Sequence, residues 1–229
     1  IVAIFVKTPA QKGNKPYGFA ENAAEPSYSD GQLSGITFKE ALKNREFYCV
    51  LILCICLCAV QAETPHISLA SSVQFGVPVQ TAALLLSVFS IGLVIGNVSF
   101  GAIDDKLGHL RAFVLGIGIM MSAHLVLIFL GKLSLVLVFI GTFSAGFSLA
   151  TFTVIPPLMT NTVFGAKDYN RIWAYFMSAA SISGAIAPPL YGFIFDVSGA
   201  YTLMYAVIIT LALISLICGL IALKSRQNT

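Results

Sequence analysis

Six stretches of the chain are apolar almost without interruption, at 47–68, 81–103, 112–130, 133–155, 172–195 and 201–223, and short polar segments separate them. At ~1.5 Å of rise per residue, each is long enough as a helix to cross a hydrocarbon layer ~30 Å thick. The runs are continuous rather than alternating in ~10-residue pieces, which favours helices over a barrel. Their connections are short and force antiparallel neighbours. Ahead of them, residues 7–35 are hydrophilic and carry Pro9, Pro16 and Pro26, the pattern of a flexible linker. Thr37-Phe38-Lys39-Glu40 then has the spacing of a capping box, which predicts a short interfacial helix over 38–45. Residues 1–6 are apolar again and read as the end of a preceding transmembrane helix, so the chain is expected to be a fragment. The predicted layout is a helix end at 1–6, a cytoplasmic linker with its interfacial helix at 7–46, a six-helix transmembrane bundle at 47–223 and a tail at 224–229.

Composition agrees with that pattern. Only 10% of the 229 residues are charged, against ~25% in a soluble domain, so the surface is too poorly charged to stay in water. An all-α membrane protein is the expected class. Of the thirteen Lys and Arg residues, only Lys132 falls outside the linker, the turn near 101–111, the segment 157–171 and the tail. The positive-inside rule then places both ends of the chain in the cytoplasm, consistent with an even number of spans, in a plasma (inner) membrane. A net charge of +3 without a basic stripe gives no reason to expect a nucleic-acid partner.

Chemistry is sparse. Cys54-Ile55-Cys56-Leu57-Cys58 alternates, but positions i and i+2 diverge on a helix and no His or carboxylate joins them at ligand spacing. With Cys49 and Cys218 they read as small hydrophobes, and no metal or cofactor is expected. The sequence carries none of the hydrolase, zinc-protease or nucleotide-binding signatures, so no catalytic residues are assigned and an enzyme is not expected. Ionisable residues inside a membrane are costly and therefore functional candidates. Gln61, Glu63 and His66 lie in the outer part of the first span. Glu63 and His66, spaced i, i+3, either share a proton beside a solute path or end the helix in external water. His124, midway along the third span, is expected to make a structural hydrogen bond to Ser122 or to a neighbouring helix. Ser87, Ser90 and Asn97 share a face of the second span, and Ser178 and Ser181 one of the fifth, with Tyr175 near its inner end. These neutral groups either line a solute path or join helices.

The turn between the second and third runs reads Gly101-x-x-x-Asp105-Lys106-x-Gly108-x-x-Arg111. It resembles the loop signature of the major facilitator superfamily of secondary transporters. Phe164-Gly165-Ala166-Lys167-Asp168 and Arg171 resemble the cytoplasmic loop before helix eleven of that family. Gly184 to Pro188, Gly192 and Asp196 to Tyr201 resemble helix eleven and its outer turn. Pro9 to Gly18 and residues 37–47 further resemble the oxalate/formate antiporter and monocarboxylate transporter branch.

The resemblance implies the C-terminal half, helices seven to twelve, of a twelve-helix carrier for a small organic anion. It would work by alternating access with proton coupling, and its partners would be membrane lipid, the solute and a missing N-terminal six-helix half. In that reading Gly101 allows close helix approach, Gly108 makes the turn, and Asp105 bonds across the two halves while Lys106 and Arg111 meet the anionic inner surface. The basic pair that binds oxalate in helices eight and eleven has no counterpart in 81–103 or 172–195, which argues against oxalate. A six-span dimeric pore or half-carrier, or a sensor that transports nothing, are the alternatives.

Overall fold

A computed structural model of the chain describes residues 34–227. The expected helix end at 1–6 and the linker up to 33 lie outside the described residues. Six helical spans long and apolar enough to cross a membrane run over Arg45–Phe75, Val79–Leu107, His109–Phe129, Leu135–Phe164, Tyr169–Ser198 and Thr202–Gln227, the last apolar as far as Lys224. The first span packs on the fifth and sixth, the fourth on the second and third, and the third and sixth join the two groups. The second and fifth spans stand at the flanks.

Every span is longer than its apolar run suggests. The fourth was expected to stop at 155, before Pro156 and Pro157, yet the helix continues through both to Phe164. A proline removes one backbone donor and crowds the carbonyl four residues back, a fault that a packed membrane helix tolerates. The carbonyls left without an amide here are those of Phe152 and Thr153, while beyond the pair the hydroxyl of Thr160 donates to the Pro156 carbonyl at 2.8 Å. Pro188 and Pro189 likewise sit inside the continuous fifth helix.

Tight approach between the second and fourth spans rests on glycine. A Cβ built on Gly92 would lie 2.4 Å from the Phe143 carbonyl oxygen, and one on Gly96 would lie 2.3 Å from that of Phe147. Small residues at such crossings let backbones meet, which in lipid replaces the hydrophobic drive of a soluble core. Gly141 and Gly184 are also crowded, the former by Leu127 and the latter by the Cys58 sulfur.

Where the chain enters the first span, Thr37 caps the helix Phe38–Ala41, shorter than the expected 38–45 because the chain turns at Asn44 into that span. The Glu40 carboxylate accepts from the Thr37 amide at 2.7 Å, and the Thr37 hydroxyl accepts from the Glu40 amide. This segment docks on the loop between the fourth and fifth spans. Gly35 pairs with Gly165, Asp168 accepts from the Phe38 amide at 2.7 Å, and the Arg171 guanidinium lies 4.7 Å above the Phe38 ring. Hydrogen bonds from the Thr37 amide and then its hydroxyl hold the Glu40 carboxyl below its usual range. A lowered carboxyl stabilises the fold above its unfolded pKa and stops doing so as pH falls through the lowered value. Measured against the intrinsic rate, which itself falls in acid, the Thr37 amide should therefore lose protection from hydrogen exchange on acidification in the parent. With Glu40→Gln that pH dependence should be lost.

Candidate functional site

The first span is broken where the chemistry lies. Regular helix ends at Gln61, a 3₁₀ turn covers Thr64–His66 with Pro65 inside it, and helix resumes over Ile67–Phe75. The carbonyl four residues before Pro65 belongs to Gln61, and the Thr64 hydroxyl donates to it at 2.8 Å. The break leaves Glu63 pointing into the bundle, 3% exposed.

There it meets His124, itself 1% exposed, with Nε2 2.9 Å from Glu63 Oε2. The expected local sharing between Glu63 and His66 does not occur. The His66 ring instead donates from Nε2 to the Pro188 carbonyl at 3.1 Å and lies against Tyr191 and Tyr201. Of the two partners expected for His124, it takes the one on a neighbouring helix and not Ser122, whose hydroxyl donates to Ile119 of its own helix. Two ionisable groups buried on facing helices pair with each other because each removes the other's desolvation cost, which a local partner at the helix surface cannot do.

The second ring nitrogen fixes the proton inventory of the pair. His124 Nδ1 lies 2.7 Å from the Met120 carbonyl oxygen, which can only accept, so Nδ1 carries a hydrogen. One further proton then occupies the Nε2–Oε2 bond, as imidazolium facing carboxylate or as neutral imidazole facing carboxylic acid. Beside Glu63 is a cavity of about 10 Å³, of the order of one water, whose polar lining is Ser71, Thr142 and Tyr205. The Tyr205 ring stands 5.8 Å from that of His124, and the Tyr191 hydroxyl donates to Ala59 at 2.8 Å.

The other sequence candidates are dispersed. Ser90, Ser178 and Ser181 each donate to the carbonyl four residues back and face out of the bundle. Asn97 is bonded to the Thr153 hydroxyl of the fourth span, so it joins helices. Tyr175 is exposed and packs against Phe38 and Phe47. Gln61 is half-buried, its carbonyl taken by Thr64.

The turn between the second and third spans is tighter than its pattern suggests, with Gly108 alone, at φ +80°, separating the two helices. A non-glycine residue is strained there. Gly101 meets nothing within the bundle, since a Cβ added to it has no neighbour within 4 Å, so its expected close approach is not to these helices. Asp105, Lys106 and Arg111 are exposed. The buried carboxylate of the turn is one the pattern passes over, Asp104, 4% exposed and 2.8 Å from His109 Nδ1.

The exposed faces of the flanking spans have a common character. On the fifth, Asn170, Ala174, Ser178, Ser181, Ala185, Gly192 and Asp196 recur at helical spacing as a small and polar stripe. Tyr175, Ile182, Ile186 and Phe193 form a separate exposed apolar stripe beside it. On the second, Ala83, Ser87, Ser90, Asn97, Gly101 and Asp105 share one face with Val94. A helix bathed in lipid on all its exposed surface should be apolar over all of it. The fifth span is instead the least apolar of the six and the least buried.

Sequence and fold comparisons agree on one kinship. Monocarboxylate transporter 12 of Homo sapiens is 26% identical over 131 residues, 56% of this chain and 25% of that protein. Its Xenopus laevis counterpart is 25% identical over 57% of this chain and 29% of its own length. An uncharacterized 38 kDa protein of Thermoproteus tenax is 26% identical over 82% of this chain and 48% of its own. A crystal structure of the E. coli fucose:proton symporter superposes with a TM-score of 0.68 at 15% identity, covering 81% of this chain and 46% of the symporter. The chain thus spans half or less of the length of each relative it matches. The family model of the Major Facilitator Superfamily matches residues 49–228, the six spans nearly entire, and with these helices in its half-bundle arrangement the chain belongs to the Major Facilitator Superfamily.

Proposed function

We propose that this chain is the C-terminal half of a secondary active transporter that moves a small organic anion, such as a monocarboxylate, by alternating access with proton coupling. The observation that carries the reading is the pair of small, polar stripes left exposed on the second and fifth spans. In a membrane-embedded superfamily member, such faces belong against a second half-bundle and the solute path between the halves, and not against lipid. Gly101 and Asp105 lie on the second span's stripe, so the close approach and the Asp105 bond are made to the other half. Both ends of the bundle lie with the positively charged segments and are assigned to the cytoplasm. Kinship with monocarboxylate transporter 12 supports the solute class, and transport rather than catalysis is the work of the family.

The test is a thermal-stability screen of the full-length protein against L-lactate, pyruvate, formate and oxalate. A ligand that binds only the folded state raises the melting temperature, by the equivalent of ~2.7 kcal/mol at a hundred times its dissociation constant. At least one monocarboxylate should raise it and drive uptake into proteoliposomes, and oxalate should do neither. A full-length protein that responds to none of them would set the solute assignment aside.

A further inference from the structure

We propose, building on the carrier reading above, that Glu63 and His124 form the carrier's proton store, a site that holds one proton and releases it only when the first and third spans part or the adjoining cavity takes up water. The argument begins with charge. With Nδ1 committed to the Met120 carbonyl, the pair is neutral overall when one proton lies between Nε2 and Oε2. Removing that proton leaves a net charge of −1, and adding another leaves +1. Either would stand unpaired in a dry interior, where isolated charge is strongly disfavoured.

The surroundings offer no opposite charge to compensate. The titratable groups nearest the pair are the Tyr205 and Tyr191 hydroxyls, with Tyr201 and, on Glu63's own span, His66 beyond them, and among the described residues no Lys, Arg or Asp lines the adjoining cavity. The second and fourth spans present Phe89, Thr142 and Ala145. The proton leaves only in those conformations of the bundle that admit water to the pair, which the carrier visits in solution. It leaves by transfer to a water molecule, which becomes hydronium, and the pair is left at −1 until it is reloaded.

Placement makes the store useful. Glu63 lies at the broken turn of the first span, so a small rotation of Ile67–Phe75 about Pro65 changes access to it. The cavity that adjoins it is bounded by Ser71 of that outer segment and by Tyr205 near the start of the sixth span. Water therefore reaches the pair from the side on which the outer segment moves. A merely structural ion pair has no need of a cavity with three hydroxyl-bearing residues in its wall or of a break in one partner's helix.

The test uses the purified full-length protein and counts protons. In weakly buffered detergent solution, a step from mildly acidic to mildly alkaline pH should release one proton fewer per molecule from Glu63→Gln than from the parent. Glu63→Asp should restore that proton. Equal release from parent and Glu63→Gln would overturn the proposal. Should Glu63→Gln fail to fold, the parent labelled with nitrogen-15 histidine decides the matter, because the His124 Nε2 resonance should respond to the pH step, and a resonance unmoved across it overturns the proposal. In proteoliposomes, Glu63→Gln should lose uptake of L-lactate driven by a pH gradient while retaining exchange of labelled for unlabelled L-lactate. Gradient-driven uptake preserved in Glu63→Gln would also overturn it. A parent that neither exchanges nor accumulates L-lactate counts against the carrier reading alone, and the proton count still decides the store.

Discussion

Replacing His124 by Leu is expected to destabilise the protein by about 3–5 kcal/mol, the usual cost of removing one member of a buried charge pair. Glu63 would then remain 3% exposed, with its only hydrogen-bonded side-chain partner gone. Its choices would be to stay ionised without compensation, or to hold a proton and leave a hydroxyl unmatched. The double replacement Glu63→Leu with His124→Leu should recover most of the loss, because two apolar groups of similar volume need no desolvation and fill the same space. Unfolding of the full-length protein, parent against single and double variants, measures the coupling directly. Additive losses would mean that the two side chains do not depend on each other. The double variant also separates stability from transport, since it should fold well and carry no proton.

Much of this architecture is visible in the sequence because a bilayer leaves few options. Backbone polar groups that cannot meet water must bond within a helix, so continuous apolar runs locate the spans with little help from packing. The ends were less legible. Residues 156–164 look like a loop opening at Pro156-Pro157, but packing of Met159, Val163 and Phe164 outweighs two missing donors and keeps the helix going. The capping box at Thr37 was readable because its bonds are local, whereas docking of that segment on Asp168 and Arg171 depends on residues some 130 positions away.

The candidate site divides in the same manner. Glu63 and His124 could each be singled out as ionisable residues in apolar surroundings. Their partnership could not, because spacing along one helix suggests His66 and says nothing about which helices face each other. What the sequence does show is that both are ionisable residues in apolar spans, where two buried charges are cheaper together than apart. Asp104 is a plainer omission. The family-like pattern draws attention to Asp105, and only the geometry shows that the preceding carboxylate turns inward to His109.

The second large effect concerns Gly146, where substitution by Ala should cost about 3 kcal/mol or more, the upper end of the range for overpacking. A Cβ there would lie 2.0 Å from the Phe89 carbonyl oxygen and 3.0 Å from its Cα. The obstacle is backbone, which cannot rotate aside as a side chain would. The only relief is separation of the second and fourth helices, and Gly92 and Gly96 of the second helix in turn meet the backbone of the fourth, so the loss spreads along the whole seam. Gly118 supplies the control, since it is helical and a Cβ added to it meets nothing within 4 Å. Ala at that position should be neutral or stabilising by up to ~1 kcal/mol, the difference in helix propensity. Thermal unfolding of the two variants compares one chemical change in two environments. If Gly146→Ala melts with Gly118→Ala, the second and fourth helices do not meet at the distance described. The stripe bearing Ser87, Ser90 and Gly101 would then lose its fixed orientation, since that seam is the largest contact turning it away from the bundle.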